Sequence, residues 1–391
     1  MMKGLPPSVR AVIDILEQNG FSGYLVGGCV RDFLMGIEPH DYDLTTDALP
    51  EQIKGCFSRY KVIETGIQHG TVTVVIDQTP IEVTTFRIDG DYRDNRHPTD
   101  VRFTPNLRED LARRDFTVNA MAYGNQGLQD FFGGQSDLEK GVIRCVGDPD
   151  KRFDEDALRI LRAVRFASTF GFEIEEMTAR AIFEKAHLLD KISAERKRDE
   201  LLKLLCGDNV ETIFARFFSV IERVVPELAT RKEEVSHRVE QLARLPKSPC
   251  LRLAALLAPL GVQDAERALA RLKTDNATKR RICAVVAEQA AHLATRADVH
   301  RLIYRVGFDA ATDVSLLQEN AEARDRILQA REKDAPVTLR QLTVNGDDLT
   351  QIGVPKGKAV GKTLEELLMQ VIDGKLPNER DALLNWVEKN R

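Results

Sequence analysis

Gly27-Gly28-Cys29-Val30-Arg31-Asp32 is separated by a short helical stretch from Asp41-Tyr42-Asp43-Leu44-Thr45-Thr46, and the reading of these two runs decides the fold. A glycine pair leaves backbone N–H groups open to anionic oxygens, because no Cβ blocks close approach. Asp41 and Asp43 stand two positions apart, so strand alternation would put both carboxylates on one face. Neighbouring carboxylates repel each other, and a hard cation such as Mg²⁺ relieves that cost while gripping substrate phosphates. Separately, the two runs also read as a turn and a polar strand end; together they read as a nucleotidyl-transfer centre.

Outward from this pair, the chain alternates. Residues 8–19 are amphipathic and end at Asn19-Gly20, a helix-stop signal. Gly23–Val26 is a short apolar strand, Val30–Met35 a helix closed by Gly36, and Asp43–Thr46 a strand. Pro50 opens another short helix to Phe57. Tyr60–Glu64, Gly70–Ile76 and Ile81–Arg87 are rich in β-branched residues and predict strands. The first ~150 residues are therefore α/β or α+β. No strand runs into a G-x-G-x-x-G turn, which disfavours a dinucleotide fold. Asp89–Pro98 is a polar, turn-rich loop, either plain surface or a functional lid. From Leu107 the pattern turns helical and carries Arg113-Arg114-Asp115-Phe116-Thr117-Val118-Asn119-Ala120. Beyond Asp148-Pro149 almost everything to Arg331 is helix-patterned, and a final segment runs from Val337. Gly357-Lys-Ala-Val-Gly361-Lys362-Thr363 imitates a phosphate loop but is one residue short and follows no convincing strand, so it is set aside.

Composition bounds the class. A chain of 391 residues exceeds one ordinary core, and 43% hydrophobic with 30% charged residues describes a soluble globular protein. Six cysteines without a CxxC pair fit reduced, structural thiols, and seven histidines without ligand spacing argue against zinc. No apolar run reaches the roughly 20 residues of a membrane span and no signal-like core opens the chain, so a cytoplasmic protein is expected. A net charge of −5 argues against a general polyanion binder while permitting a local basic groove. The basic run Lys279-Arg280-Arg281 reads first as a solvated helix face and second as an RNA-backbone contact.

The second informative cluster is Arg152-Phe-Asp154-Glu155-Asp156-Ala-Leu-Arg159-Ile-Leu-Arg162-Ala-Val-Arg165-Phe166. Leu158, Leu161, Val164 and Phe166 mark a buried helix side, and arginines three apart are surface neighbours. Asp156 and Arg159 are one turn apart. They could form an ion pair on a solvated helix. Alternatively, an aspartate can accept from the exocyclic amine of cytosine or adenine while an arginine donates to the adjacent ring nitrogen. Uracil and guanine present the opposite pattern and would leave buried groups unpaired, which is the strong kind of rejection.

These motifs, in this order, resemble the class II tRNA nucleotidyltransferases, the bacterial CCA-adding enzymes and their poly(A) polymerase relatives. Leu25–Asp32 with Asp41-Tyr-Asp43, Arg113–Ala120 and Glu155–Arg162 carry the likeness. Glu195-Arg-Lys-Arg-Asp-Glu-Leu201 and Val344-Asn-Gly346 through Trp386 extend it over nearly the whole chain. The resemblance implies an α+β fold: a polymerase-β-like head (1–148) followed by an all-helical neck (149–205), body (206–332) and tRNA-binding tail (333–391). It implies Mg²⁺ on Asp41 and Asp43, with Glu82 as candidate third carboxylate. It also implies nucleotide binding by Gly28, Arg31, Arg114, Asp156, Arg159, Arg162 and Arg165, and ribose recognition by Asp115 and Asn119. The implied activity is template-independent addition of C, C and A to the tRNA 3′ end from CTP and ATP, with pyrophosphate released. The implied partners are the tRNA acceptor end and elbow, with no membrane and no obligatory protein partner. Ile63–Thr71 looks like the CCA-adding subtype. An A-adding or CC-adding relative, a poly(A) polymerase and an RNA-binding scaffold with an inactive head are the alternatives.

Overall fold

A computed structural model describes residues 4–90, 101–333 and 335–390. The chain divides into two compact units, 1–225 and 226–391.

In the first unit the helix α1 (Pro7–Gln18) leads into strand β1 (Gly23–Val26), helix α2 (Gly28–Leu34), strand β2 (Asp43–Thr46) and helix α3 (Pro50–Cys56). Strands β3 (Lys61–Ile63), β4 (Thr71–Ile76) and β5 (Thr79–Thr85) follow, then a small hairpin of β6 (Arg87–Asp89) and β7 (Val101–Phe103). Helix α4 (Leu107–Ala112) precedes the strands β8 (Met121–Gly124) and β9 (Gly127–Asp130). The main sheet runs β3-β4-β5-β2-β1-β8-β9, and its β2–β5 pair is parallel while the others are antiparallel. Alternation explains β4: Val72, Val74 and Ile76 point inward while the threonines between them do not. They meet Val9, Val12, Ile13 and Leu16 of α1, all fully buried, in one apolar cluster with Leu25, Leu44 and Val83. Each such side chain contributes roughly 1.5–3 kcal/mol on burial, so one central polar substitution would threaten the head.

Helices α5 (Gly134–Lys140), α6 (Pro149–Glu155), α7 (Leu158–Phe170), α8 (Glu176–Lys185), α9 (Ala194–Leu205) and α10 (Val210–Ile221) follow, with a parallel pair of two-residue strands, Val142–Ile143 and Glu173–Ile174, the latter inside the segment expected to be all-helical. Two expectations are corrected here. The segment Arg113–Ala120 does not continue a helix: α4 stops at Ala112, Phe116 is extended and only Thr117–Asn119 makes a short 3-10 turn. The Asp115 carboxylate takes its own neighbour's N–H, at Phe116, and so competes with the helical ladder. The cluster Arg152–Phe166 is likewise two helices, not one. Asp156 is extended (φ −138°, ψ 102°) and its carboxylate accepts from the Leu158 N–H, which starts α7 afresh. The loop expected at Asp89–Pro98 lies, beyond Gly90, outside the described residues.

The second unit is helical. Ser248, Asp275, Thr295, Asn320 and Asn345 each accept from a backbone N–H at a helix start, which is why helices begin at Pro249, Asn276, Arg296, Ala321 and Gly346. In the basic run, Lys279 pairs with Glu266 (2.9 Å) and Arg281 with Asp313 (2.6 Å), as a helix face carrying local ion pairs would. The phosphate-loop lookalike becomes the first turns of the helix Lys358–Ile372, entered from Gly357 and not from a strand. Among the described residues no helix is long and apolar enough to cross a membrane.

Candidate active site

Asp43 opens β2, and Asp41 lies just ahead of the strand, so period-2 alternation is not what brings them together. Both are exposed. Glu82 sits directly beside Asp43 in the parallel β2–β5 register. Crowding by protein raises the Asp43 pKa, Arg114 opposes the rise, and the Asp41 charge adds to it. Glu82 is also raised, by burial and then by the charges of Asp43 and Asp41. The three carboxylates therefore share one field that a cation would relieve. Among the described residues no three acidic, imidazole or thiol side chains form a ready-made metal cage. Two hard oxygen donors with room for water and phosphate suit Mg²⁺, which usually keeps much of its hydration. Beneath them the Cys29 thiol donates to the Val26 carbonyl (3.2 Å), and burial pushes its pKa to about 11, so it is a packing group.

The turn between β1 and α2 needs its glycine. Gly27 has φ 75°, and a Cβ there would come within 2.9 Å of Nη1 of Arg114. Burial lowers the Arg114 pKa, while the charges of Asp110, Asp43 and Asp115 hold it up. Its Nε is buried with no hydrogen-bond partner. A guanidinium with an unmet donor against a glycine turn and an acid rim is arranged to receive an anion.

The other predicted polar residues form a continuous chain. Arg31 is buried, donates to Asp32 (2.6 and 2.9 Å) and to Oδ1 of Asn119 (2.7 Å), and lies over the rings of Phe166 and Phe170. Asn119 in turn donates to Asp115 (3.0 Å), whose second oxygen takes Nε and Nη2 of Arg162 (2.8 and 2.7 Å). Burial alone would raise the Asp115 pKa; Arg162 and Asn119 outweigh it and hold the carboxyl well below the usual range. Arg165 donates to Glu200 of α9 (2.9 Å) and stacks 3.6 Å over Phe166. Arg31 and Arg165 are thus committed to holding neighbouring side chains.

Asp156 and Arg159 do not pair with each other as drawn. Asp156 accepts from Leu158 N (3.0 Å) and from Nη1 and Nη2 of Arg196 (3.4 and 2.9 Å). Arg159, nearly buried, donates to Glu155 (2.8 Å) and to the carbonyls of Arg152 and Arg113 (3.3 and 2.8 Å). The solvated ion-pair picture fails on both counts.

Three residues escaped the sequence reading: Arg196, Glu200 and Asp110. The first two sit in the quoted run Glu195–Leu201, whose proximity to Asp156 and Arg165 is purely tertiary. Asp110, fully buried on α4, precedes the Arg113-Arg114 pair by one turn, and that spacing was the available signal. Volume is a poor guide to the site. A cavity of about 800 Å³ lies in the helical unit and one of about 520 Å³ beside the β6–β7 hairpin, and neither is lined by Asp41, Asp43, Arg114 or Asp156.

The chain matches the family described as poly A polymerase head domain over residues 23–144. Residues 171–230 match a probable RNA- and SrmB-binding site of polymerase A, and residues 250–387 a putative second domain of tRNA nucleotidyltransferases. It is 39% identical to the CCA-adding enzyme of Levilactobacillus brevis over 96% of each chain. Against that of Geobacillus thermodenitrificans it is 37% identical over 99% of this chain and 98% of the other. The fold is similar to the crystal structure of the Bacillus stearothermophilus CCA-adding enzyme in complex with CTP. The TM-score is 0.85 at 32% identity, covering 99% and 98% of the two chains. With an α+β head, helical remainder and relatives matched from end to end, the chain belongs to the CCA-adding enzyme family of tRNA nucleotidyltransferases.

Proposed function

We propose that this enzyme adds C, C and A to the 3′ end of tRNA, using CTP and ATP and no nucleic-acid template. The observation that carries the reading is Arg114, buried, with an unpartnered Nε, its Nη1 against the Gly27 turn and its charge acting on Asp43. The turn and Arg114 receive the triphosphate, orienting it so that the α-phosphorus faces the tRNA 3′-hydroxyl and pyrophosphate departs in line. Enzymes of this family use a divalent cation; Asp41 and Asp43 would hold it here as Mg²⁺, which supplies charge neutralisation at the phosphate and the attacking oxygen. Glu82, beside Asp43 on the neighbouring strand and itself raised by the charges of Asp43 and Asp41, is the candidate third carboxylate.

Asp115 and Asn119 shape the wall of the ribose subsite, held rigid by Arg31 and Arg162. Asp156 accepts the exocyclic amine of C or A, and Arg159 donates to the ring nitrogen by exchanging one of its internal partners. Arg162 ties α7 to Asp115 and Arg165 ties it to Glu200 of α9 around that site. By function, we divide the chain as head 1–148, neck 149–205, body 206–332 and tail 333–391, the last two serving the tRNA. The reading places the enzyme in the cytoplasm, in keeping with six cysteines that form no disulfide.

Three tRNAs ending before CCA, after C and after CC, each offered CTP or ATP alone, test this. CTP should extend the first two and stop, and ATP should add a single residue to the third. Runs of A on every substrate would mean a poly(A) polymerase, and silence on one substrate a partial-activity relative.

A further inference from the structure

Asp110 belongs to none of the roles above, yet among the described residues of the head it is the most completely buried carboxylate, with no exposed surface. A bare carboxylate in that position would cost several kcal/mol, so its partners must compensate. They come from several elements. Oδ1 accepts from Nε and Nη2 of Arg113 (3.0 and 2.9 Å) and from the backbone N–H of Arg87 on β6 (3.3 Å). Oδ2 faces Nη2 of Arg114 at 3.6 Å. It also lies 3.4 Å from the hydroxyl of Thr45, two residues beyond Asp43 on β2, although that hydroxyl donates better to the Thr84 carbonyl (3.0 Å).

This arrangement has a direction. Arg113 satisfies one oxygen, while the other faces Nη2 of Arg114, on the same guanidinium edge as its unpartnered Nε. Arg114 is thereby placed between a carboxylate at its Nη2 and the Gly27 turn at its Nη1. The same carboxylate touches the strand that carries Asp43.

We propose that Asp110 is a positioning residue that aims Arg114 at the triphosphate and couples it to β2, setting the rate of transfer without affecting base choice. The inference rests on the assignment of Arg114 given above. Acting on a group common to every nucleotide, Asp110 should matter equally for CTP and ATP. Loss of such a supporting contact typically costs about 10–100-fold in activity.

The test is a double-mutant cycle on the full-length enzyme, with Asp110→Asn, Arg114→Ala and the double variant, reading kcat and KM for CTP and for ATP on matched tRNAs. Asp110→Asn should lower kcat/KM about 10–100-fold alike for both nucleotides, with KM for tRNA unmoved. In the Arg114→Ala background it should cost less than about 3-fold, because the group it aims is gone. Multiplicative losses would overturn the inference, as would a Asp110→Asn enzyme with parental kinetics or a loss confined to one nucleotide. Should Asp110→Asn fail to fold, Asp110→Glu keeps the charge, displaces it and enters the same cycle. If Arg114→Ala alone leaves KM and kcat for both nucleotides unchanged, the Arg114 assignment itself falls, which is a distinct outcome.

Discussion

The acid rim of the sheet and the arginine helix α7 are both densely charged, but their charges are in opposite conditions. At the rim, burial and the charge of Asp41 raise the pKa of Asp43, burial and the charges of both raise that of Glu82, and the neighbouring Arg114 keeps an unmet donor. On α7, Arg159, Arg162 and Arg165 are matched to Glu155, Asp115 and Glu200 at 2.7–2.9 Å. The rim is incomplete without a ligand, whereas the helix is complete by itself. Unmet groups perform chemistry and cost stability; matched ones hold geometry and supply it.

That contrast can be broken most sharply at the rim. Asp43→Asn should reduce nucleotide incorporation by on the order of 10³-fold while leaving tRNA binding close to parental. Residual activity within tenfold of parent would refute the metal assignment. On the other side of the comparison, Asp115→Asn should destabilise the fold by about 3 kcal/mol, since it strands Arg162 in a buried site. The sign follows from the depressed Asp115 pKa. Its stabilisation is present above the unfolded carboxylate range and is lost as pH falls through the lower folded value. Parent and variant melting curves should therefore differ at neutral pH and converge on strong acidification; a gap that persists in acid would contradict the ion-pair account.

A smaller effect distinguishes reading from holding within α7. Arg159→Ala should relax selection against UTP about 10–100-fold, more than it lowers CTP incorporation. Strict C and A selection in that variant would leave Arg159 a holding residue like Arg165. Smallest of all is the stability of Asp43→Asn without metal. A carboxyl whose folded pKa is raised helps the fold only at low pH, and that help is lost as pH rises through the folded value. At neutral pH the variant should melt slightly higher than parent, the gain kept modest by solvent around Asp43. A lower melting point would show that the rim is not strained.

Much of the head was readable because its signals are local. β1 and β2 fall at the residues that apolar patterning marks, and α1 stops where Asn19-Gly20 says it should. The errors fall where a side chain overrules its own backbone, as Asp115 and Asp156 do by capping their neighbours. Candidate site residues could be named by motif, but their partners could not. Arg31 meets Asn119 across 88 residues and Asp156 meets Arg196 across 40, and no local period encodes either meeting. Asp110 stayed hidden for a related reason: its four residues' spacing from Arg114 suggested an ordinary helical pair, and only burial reveals its wider set of partners.

The partners of Asp156 bear on how much this enzyme can know about a base. A carboxylate offers about four lone-pair directions, and Leu158 and Arg196 already occupy three of them. Used to read a base, one vacancy would make a detector with a binary output: an amino group stands beside an accepting ring nitrogen, as in cytosine and adenine, or it does not. Such a detector delivers one bit, enough to part C and A from U and G, and too little to order C before A. If Asp156 reads the base in this way, the order of the three letters must be stored outside this residue.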